Sequence, residues 1–188
     1  MKVFASLAAL VVASIATAAH AGDISGPRAE LLVGYDHRSF GFDDGSVNGS
    51  GLAYGGAIGY DLPVTSRIAL GVDAEIDGAT SKVKYDDPVA SIRWKFGRDL
   101  YAGGRVTVQA SKNINFYAKV GYTNTRVTTV IDQGIVSSLS ENYGGVRVGA
   151  GTQIHVSGPL YGSLEYRYSN YKWNLSRHQV LAGIGYRF

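Results

Sequence analysis

From Gly22 onward no apolar run reaches the roughly 18 residues that a helix needs to cross a bilayer. The same stretch repeats segments about ten residues long in which every second side chain is apolar, the period of strands rather than helices. A chain patterned this way can enter lipid only as a closed barrel, because an open sheet edge finds no hydrogen-bond partner there.

Eight such segments can be read. In the first, Ala29, Leu31, Val33 and Tyr35 share one face and Glu30, Leu32, Gly34 and Asp36 the other. The second sets Leu52, Tyr54, Gly56, Ile58 and Tyr60 against Ala53, Gly55, Ala57, Gly59 and Asp61. The third is the sharpest: Ile68, Leu70, Val72, Ala74 and Ile76 alternate with Ala69, Gly71, Asp73, Glu75 and Asp77. Five more follow, through 99–110 and around Val120, Val148, Tyr166 and Ile184. The expected fold is all-β, an eight-stranded antiparallel up-and-down transmembrane β-barrel over 22–188, with the charged faces inward. A soluble lipocalin-type barrel also has eight strands but would turn its apolar face inward around a ligand. Here the charged face is rich in glycine, which implies an interior too tight for one.

Links between segments alternate in length. Short links follow the second, fourth and sixth segments, whereas residues 38–50, 78–98 and 124–143 read as longer polar loops. Short turns on the periplasmic side and long loops outside are the asymmetry of bacterial outer-membrane barrels. Tyr54, Tyr60, Tyr122, Tyr166, Tyr168, Tyr186 and Phe188 fall on the apolar faces, several near segment ends, as aromatic girdles require.

The first 21 residues read as a cleaved signal peptide. Lys2 supplies the positive start, residues 3–17 are almost wholly apolar, and Ala19-His20-Ala21 is a small-x-small cleavage site. A buried N-terminal helix is the competing reading, but Gly22 and Asp23 follow too soon for a membrane anchor. Cleavage is expected after Ala21.

Composition narrows the classes. The chain has 25 glycines and 13 tyrosines against one methionine, a poor mixture for helices since Gly costs about 1 kcal/mol per helical position. Without Lys2, the 18 basic residues become 17 against 15 acidic ones, scattered singly, so nucleic acid is not an expected partner. The absence of cysteine excludes disulfides, a thiol nucleophile and thiolate metal sites. No cofactor motif or metal-ligand spacing is present.

The charges carry the site reading. Glu30, Asp73, Glu75 and Glu165 would face Arg105, Lys119, Arg147, Arg167 and Arg187 across a lumen just wide enough for side chains to fill. Buried ions must pair, because a lone one costs several kcal/mol. A salt-bridged plug and a narrow gated pore for small solutes would use these same residues, and conductance separates them. An outer-membrane lipid hydrolase is the enzymatic alternative. Ser176 and His178 share a face near the outer rim, but they point outward and lack an activating acid, so the chain is not expected to be an enzyme.

Four stretches in order carry a family resemblance: Asn115-Phe116-Tyr117-Ala118-Lys119-Val120-Gly121-Tyr122-Thr123-Asn124, Gly145-Val146-Arg147-Val148-Gly149-Ala150-Gly151, Leu164-Glu165-Tyr166-Arg167-Tyr168-Ser169-Asn170-Tyr171, and Gln179-Val180-Leu181-Ala182-Gly183-Ile184-Gly185-Tyr186-Arg187-Phe188. They resemble the OmpA-like and opacity-type outer-membrane proteins, in particular the short alphaproteobacterial "porin family" barrels. The resemblance implies a fold and an outer-membrane location among lipid and lipopolysaccharide. It does not choose among the adhesins and structural anchors of such families. The periplasmic peptidoglycan-binding domain of full OmpA proteins is expected to be absent, since the chain stops at Phe188. Tyr186 and Phe188 resemble the signal read by the outer-membrane assembly machinery. The expected role is structural and surface-interacting, adhesin-like, with the long loops open to a host or environmental ligand.

Overall fold

The computed structural model describes residues 24–42, 45–86, 91–132 and 136–188. The signal peptide read from the sequence lies outside them. The strands are β1 (Gly26–Phe42), β2 (Gly45–Pro63), β3 (Ile68–Ala79), β4 (Lys82–Asp86), β5 (Ser91–Gln109), β6 (Ile114–Asp132), β7 (Val136–Ser157), β8 (Leu160–Tyr171) and β9 (Leu175–Arg187). Each pairs antiparallel with its neighbours, and β1 closes the ring against β9 from Arg28↔Arg187 to Phe40↔Leu175.

The ring has eight staves, because β3 and β4 are two parts of one. Asp77 lies opposite Asp99 below the break and Lys82 opposite Lys95 above it, so the β3–β4 side carries one extra residue. Leu52 fixes the break from β2: its carbonyl accepts from Thr80 N at 2.9 Å, and its N–H donates to Thr80 Oγ1 at 2.9 Å. Ser81 meanwhile turns inward and donates to Asp36 at 2.6 Å.

Both described ends of the chain lie at the short-turn rim with residues 64–67, 110–113 and 158–159. From there the outward face is apolar for about nine residues per stave, the length a tilted strand needs to cross a bilayer. Leu31 is 70% exposed, Val72 64% and Ile184 58%, a continuous apolar surface that only lipid can satisfy. Tyr54, Tyr122 and Tyr166 lie towards its outer edge, Phe116 and Tyr186 towards its inner edge.

Where three long polar loops are expected, at 38–50, 78–98 and 124–143, the described residues are strand apart from Thr80 and Ser81. The strands run on as β-ribbons: β1 to Phe42, β2 from Gly45, β6 to Asp132 and β7 from Val136, with β4 and the start of β5 filling the second link. Alternation continues there with its sense inverted. Inside the membrane the outward residues are apolar and the inward ones charged. Above it Phe40, Phe96, Val127 and Leu175 point inward and are buried, while Ser39, Lys95, Arg126, Thr128 and Ser176 take the outward positions. Phe40, Phe96, Val127, Tyr171 and Leu175 pack into one cluster, flanked by Val47, Trp94 and Tyr143. The inversion marks where the wall leaves lipid for water.

Candidate functional site: the charged interior

Among the described residues, the alternation of β1–β9 sends eight cations and eight carboxylates into the barrel, all of them buried. Arg28, Arg38, Arg105, Lys119, Arg147, Arg167, Arg177 and Arg187 face Glu30, Asp36, Asp61, Asp73, Glu75, Asp77, Asp99 and Glu165. The formal charge of the interior is therefore balanced, as a low-dielectric core requires.

Near the inner rim Asp61 accepts from Arg28 Nε and Arg187 Nη1, each at 2.9 Å. Arg28 also pairs with Asp73, which lies 3.9 Å from Arg105. The Arg105 guanidinium sits 3.6 Å above the Tyr117 ring. Glu30 accepts hydrogen bonds from Ser163 and Tyr161 and, among the described residues, forms no ion pair within 4.0 Å.

The middle is organised around Glu75. Lys119 pairs with it and reaches Glu165 at 2.7 Å. Arg147 contacts Glu75 at 3.3 Å, Asp77 at 2.8 Å and Asp99 at 3.0 Å. Arg167 contacts Glu75 at 3.1 Å and Asp77 at 3.3 Å, and pairs with Glu165. Above this, Arg177 holds Asp99 at 2.6 Å and pairs with Asp36, to which Arg38 Nε donates at 3.1 Å. The Arg38 guanidinium then stacks 4.0 Å from the Phe96 ring, joining the ionic layers to the aromatic cluster that caps them.

Glycines make room for these side chains. A Cβ on Gly185 would meet the Tyr161 ring and one on Gly151 the Tyr117 ring, so both large side chains lie flat across the wall where glycine faces them. On the outside, Tyr54 covers its cross-strand partner Gly78 in the same way.

All nine charged residues singled out from the sequence (Glu30, Asp73, Glu75, Arg105, Lys119, Arg147, Glu165, Arg167 and Arg187) lie on the inward face. The alternation puts Asp36, Asp61 and Asp77 on the inward faces without naming them in the network, and it does not single out Arg28, Arg38, Asp99 or Arg177. Parity finds these four as well: each sits an even number of residues along its strand from an inward residue already recognised, once the strands are given their full length. Asp99 is the most consequential of these, since it also accepts from Thr123 at 2.6 Å and from Tyr171.

Ser176 and His178 lie on the outward face, as read. His178 Nδ1 shares its hydrogen bond with the Tyr166 hydroxyl at 2.7 Å. Among the described residues no group of His, Cys, Asp or Glu is suited to hold a metal ion. At the end of the chain the Tyr186 and Phe188 rings lie 4.8 Å apart, and Phe188 N donates to Pro27 O at 2.9 Å, continuing the closing seam.

A closed ring of eight staves with an apolar outer wall and a charged, filled interior defines a bacterial outer-membrane β-barrel. The chain belongs to the outer membrane protein beta-barrel domain family, whose model matches residues 5–188. Among solved structures it is similar to Ail, the attachment invasion locus protein of Yersinia pestis, at 13% identity and TM-score 0.55 over 87% of this chain and 99% of that one. It is also similar to Neisserial surface protein A, at 18% identity and TM-score 0.57 over 87% and 98%. At such identities the likeness is one of fold. No curated protein matches the chain.

Proposed function

We propose that this outer-membrane barrel is a closed-lumen surface protein, with a structural and interaction role carried by its outer ribbons rather than by transport. The observation behind this reading is the interior: a charge-balanced set of paired side chains fills it, and the cluster of Phe40, Phe96, Val127, Tyr171 and Leu175 lies over it. The ribbons built on β1–β2, β4–β5 and β6–β7 are then what the cell presents to its surroundings, including a host or environmental ligand. The attachment locus in the name of Ail, and its complex with a heparin analogue, support looking for interactions there.

Planar-bilayer recording of the refolded protein tests the reading against a narrow gated pore. Insertion without steady or voltage-gated conductance is expected; reproducible unitary steps would favour the pore. Export by a leader removed after Ala21, and assembly guided by Tyr186 and Phe188, belong to the same proposal. Deleting Phe188 is expected to strand protein in the periplasm, and undiminished assembly would count against that role.

A further inference from the structure

The interior balances its charges; one wall of the exterior does not. Ser81, Phe96, Asp99, Thr125 and Val127 are buried inward, so the residues beside them, Lys82, Lys95, Arg98 and Arg126, face outward, and all four are exposed. They cluster across three adjacent strands. Lys82 lies directly opposite Lys95. The bulge between Phe96 and Asp99 brings Gly97 against Arg126, beside Arg98. Like charges directly opposite each other weaken a sheet unless an anion lies between them. Among the residues whose side chains are described, no carboxylate shares this outward face beside Lys82, Lys95, Arg98 and Arg126. At the same height further round the ring, the outward positions of β1, β2 and β9 are His37, Ser39, Asn48, Ser50, Ser176 and His178, none of them Lys, Arg or a carboxylate.

Height identifies the anion. On the same face Ile76, Leu100 and Tyr122 are lipid-facing. Arg98 follows Leu100 outward by two residues, about 7 Å along the strand. That step leads from the hydrocarbon edge into the headgroup layer, which is roughly 5–7 Å deep on each side. We propose that the outward face of β4–β6 is a binding site for the phosphate groups of the outer-leaflet glycolipid, with Lys82, Lys95, Arg98 and Arg126 as their ligands. Arginine offers a planar fork to two phosphate oxygens and lysine a compact charge, so the cluster suits a headgroup with more than one phosphate. The inference goes beyond the surface role proposed above and rests only on the outer-membrane location. Conductance has no bearing on it.

The test is lipid competition around the refolded barrel in phosphatidylcholine bilayers containing either bis-phosphorylated lipid A or the same lipid A with its phosphates removed. The wild type is expected to prefer the phosphorylated form by about tenfold or more, a preference that weakens with salt. The combined variant Lys82→Gln, Lys95→Gln, Arg98→Gln and Arg126→Gln should lose it. A control with Arg67→Gln, Lys112→Gln and Lys172→Gln, exposed cations elsewhere, should keep it. Heat-modifiable gel mobility reports separately that each barrel has folded, and the wild-type comparison needs no variant. Equal affinity of the wild type for the two lipids would overturn the proposal, as would a preference that survives in the combined variant. So would equal loss in the control, or binding of soluble heparin without preference for the phosphorylated lipid, which would assign the cations to an external polyanion.

Discussion

Replacing Glu75 by Ala is expected to destabilise the refolded barrel by about 3–5 kcal/mol, the cost of breaking a buried ion pair from one side. Glu75 is shared by Lys119, Arg147 and Arg167. None of the three is left bare by its loss: Lys119 keeps Glu165, Arg147 keeps Asp77 and Asp99, and Arg167 keeps Asp77 and Glu165. The penalty instead comes from one uncompensated positive charge spread over a buried cluster, plus the cavity left by the side chain. Two further variants separate these causes. Glu75→Gln keeps the volume and an acceptor and should cost less. Adding Lys119→Met to Glu75→Ala removes the excess charge and should recover most of the loss, as a coupling within one network. Denaturant unfolding in lipid vesicles reads all three. A Glu75→Ala cost under about 1 kcal/mol would mean that water screens the interior.

The opposite face of the same strand should fail for the opposite reason. Val72 is 64% exposed, sits mid-way along the outward row from Ile68 to Ile76, and lies between Tyr60 on β2 and Gly104 on β5. Val72→Arg places a guanidinium near the bilayer midplane and should cost roughly 2–4 kcal/mol. Ser50→Arg, outward on β2 but above the apolar belt, should change stability by no more than about 0.5 kcal/mol. A harmless Val72→Arg beside a damaging Ser50→Arg would invert the depth assignment.

Much of this was legible in the sequence because β3 states the rule without interruption: from Ile68 to Asp77 the parity of a residue decides lipid or lumen. The same parity alone places Glu75, Lys119 and Arg147 on inward faces. It failed at the outer ends. Residues 38–50 and 124–143 read as loops because their outward side chains turn polar, and alternation with its sense inverted, Phe40 and Val127 inward, does not stand out in so polar a stretch. Cutting β1 and β9 short there hid Arg38 and Arg177. The break at Thr80–Ser81 was illegible for another reason: a one-residue bulge leaves composition unchanged and shows itself only in the pairing of Lys82 with Lys95. Connectivity within the network was equally out of reach, since alternation says which face a carboxylate is on but not that Glu75 serves three cations.

The sealed interior is most directly tested by thiol accessibility, for which a cysteine-free chain is convenient. Ala53, Ala57 and Ala69 point inward and are 1%, 7% and 0% exposed, and cysteine is small enough to stand in each place. In folded, vesicle-embedded protein, Ala53→Cys, Ala57→Cys and Ala69→Cys should resist a charged, water-soluble thiol reagent until denaturant is added, while Lys172→Cys in the β8–β9 turn reacts at once. Labelling of the inward cysteines at the rate of Lys172→Cys would reveal a water-filled lumen and contradict the closed barrel.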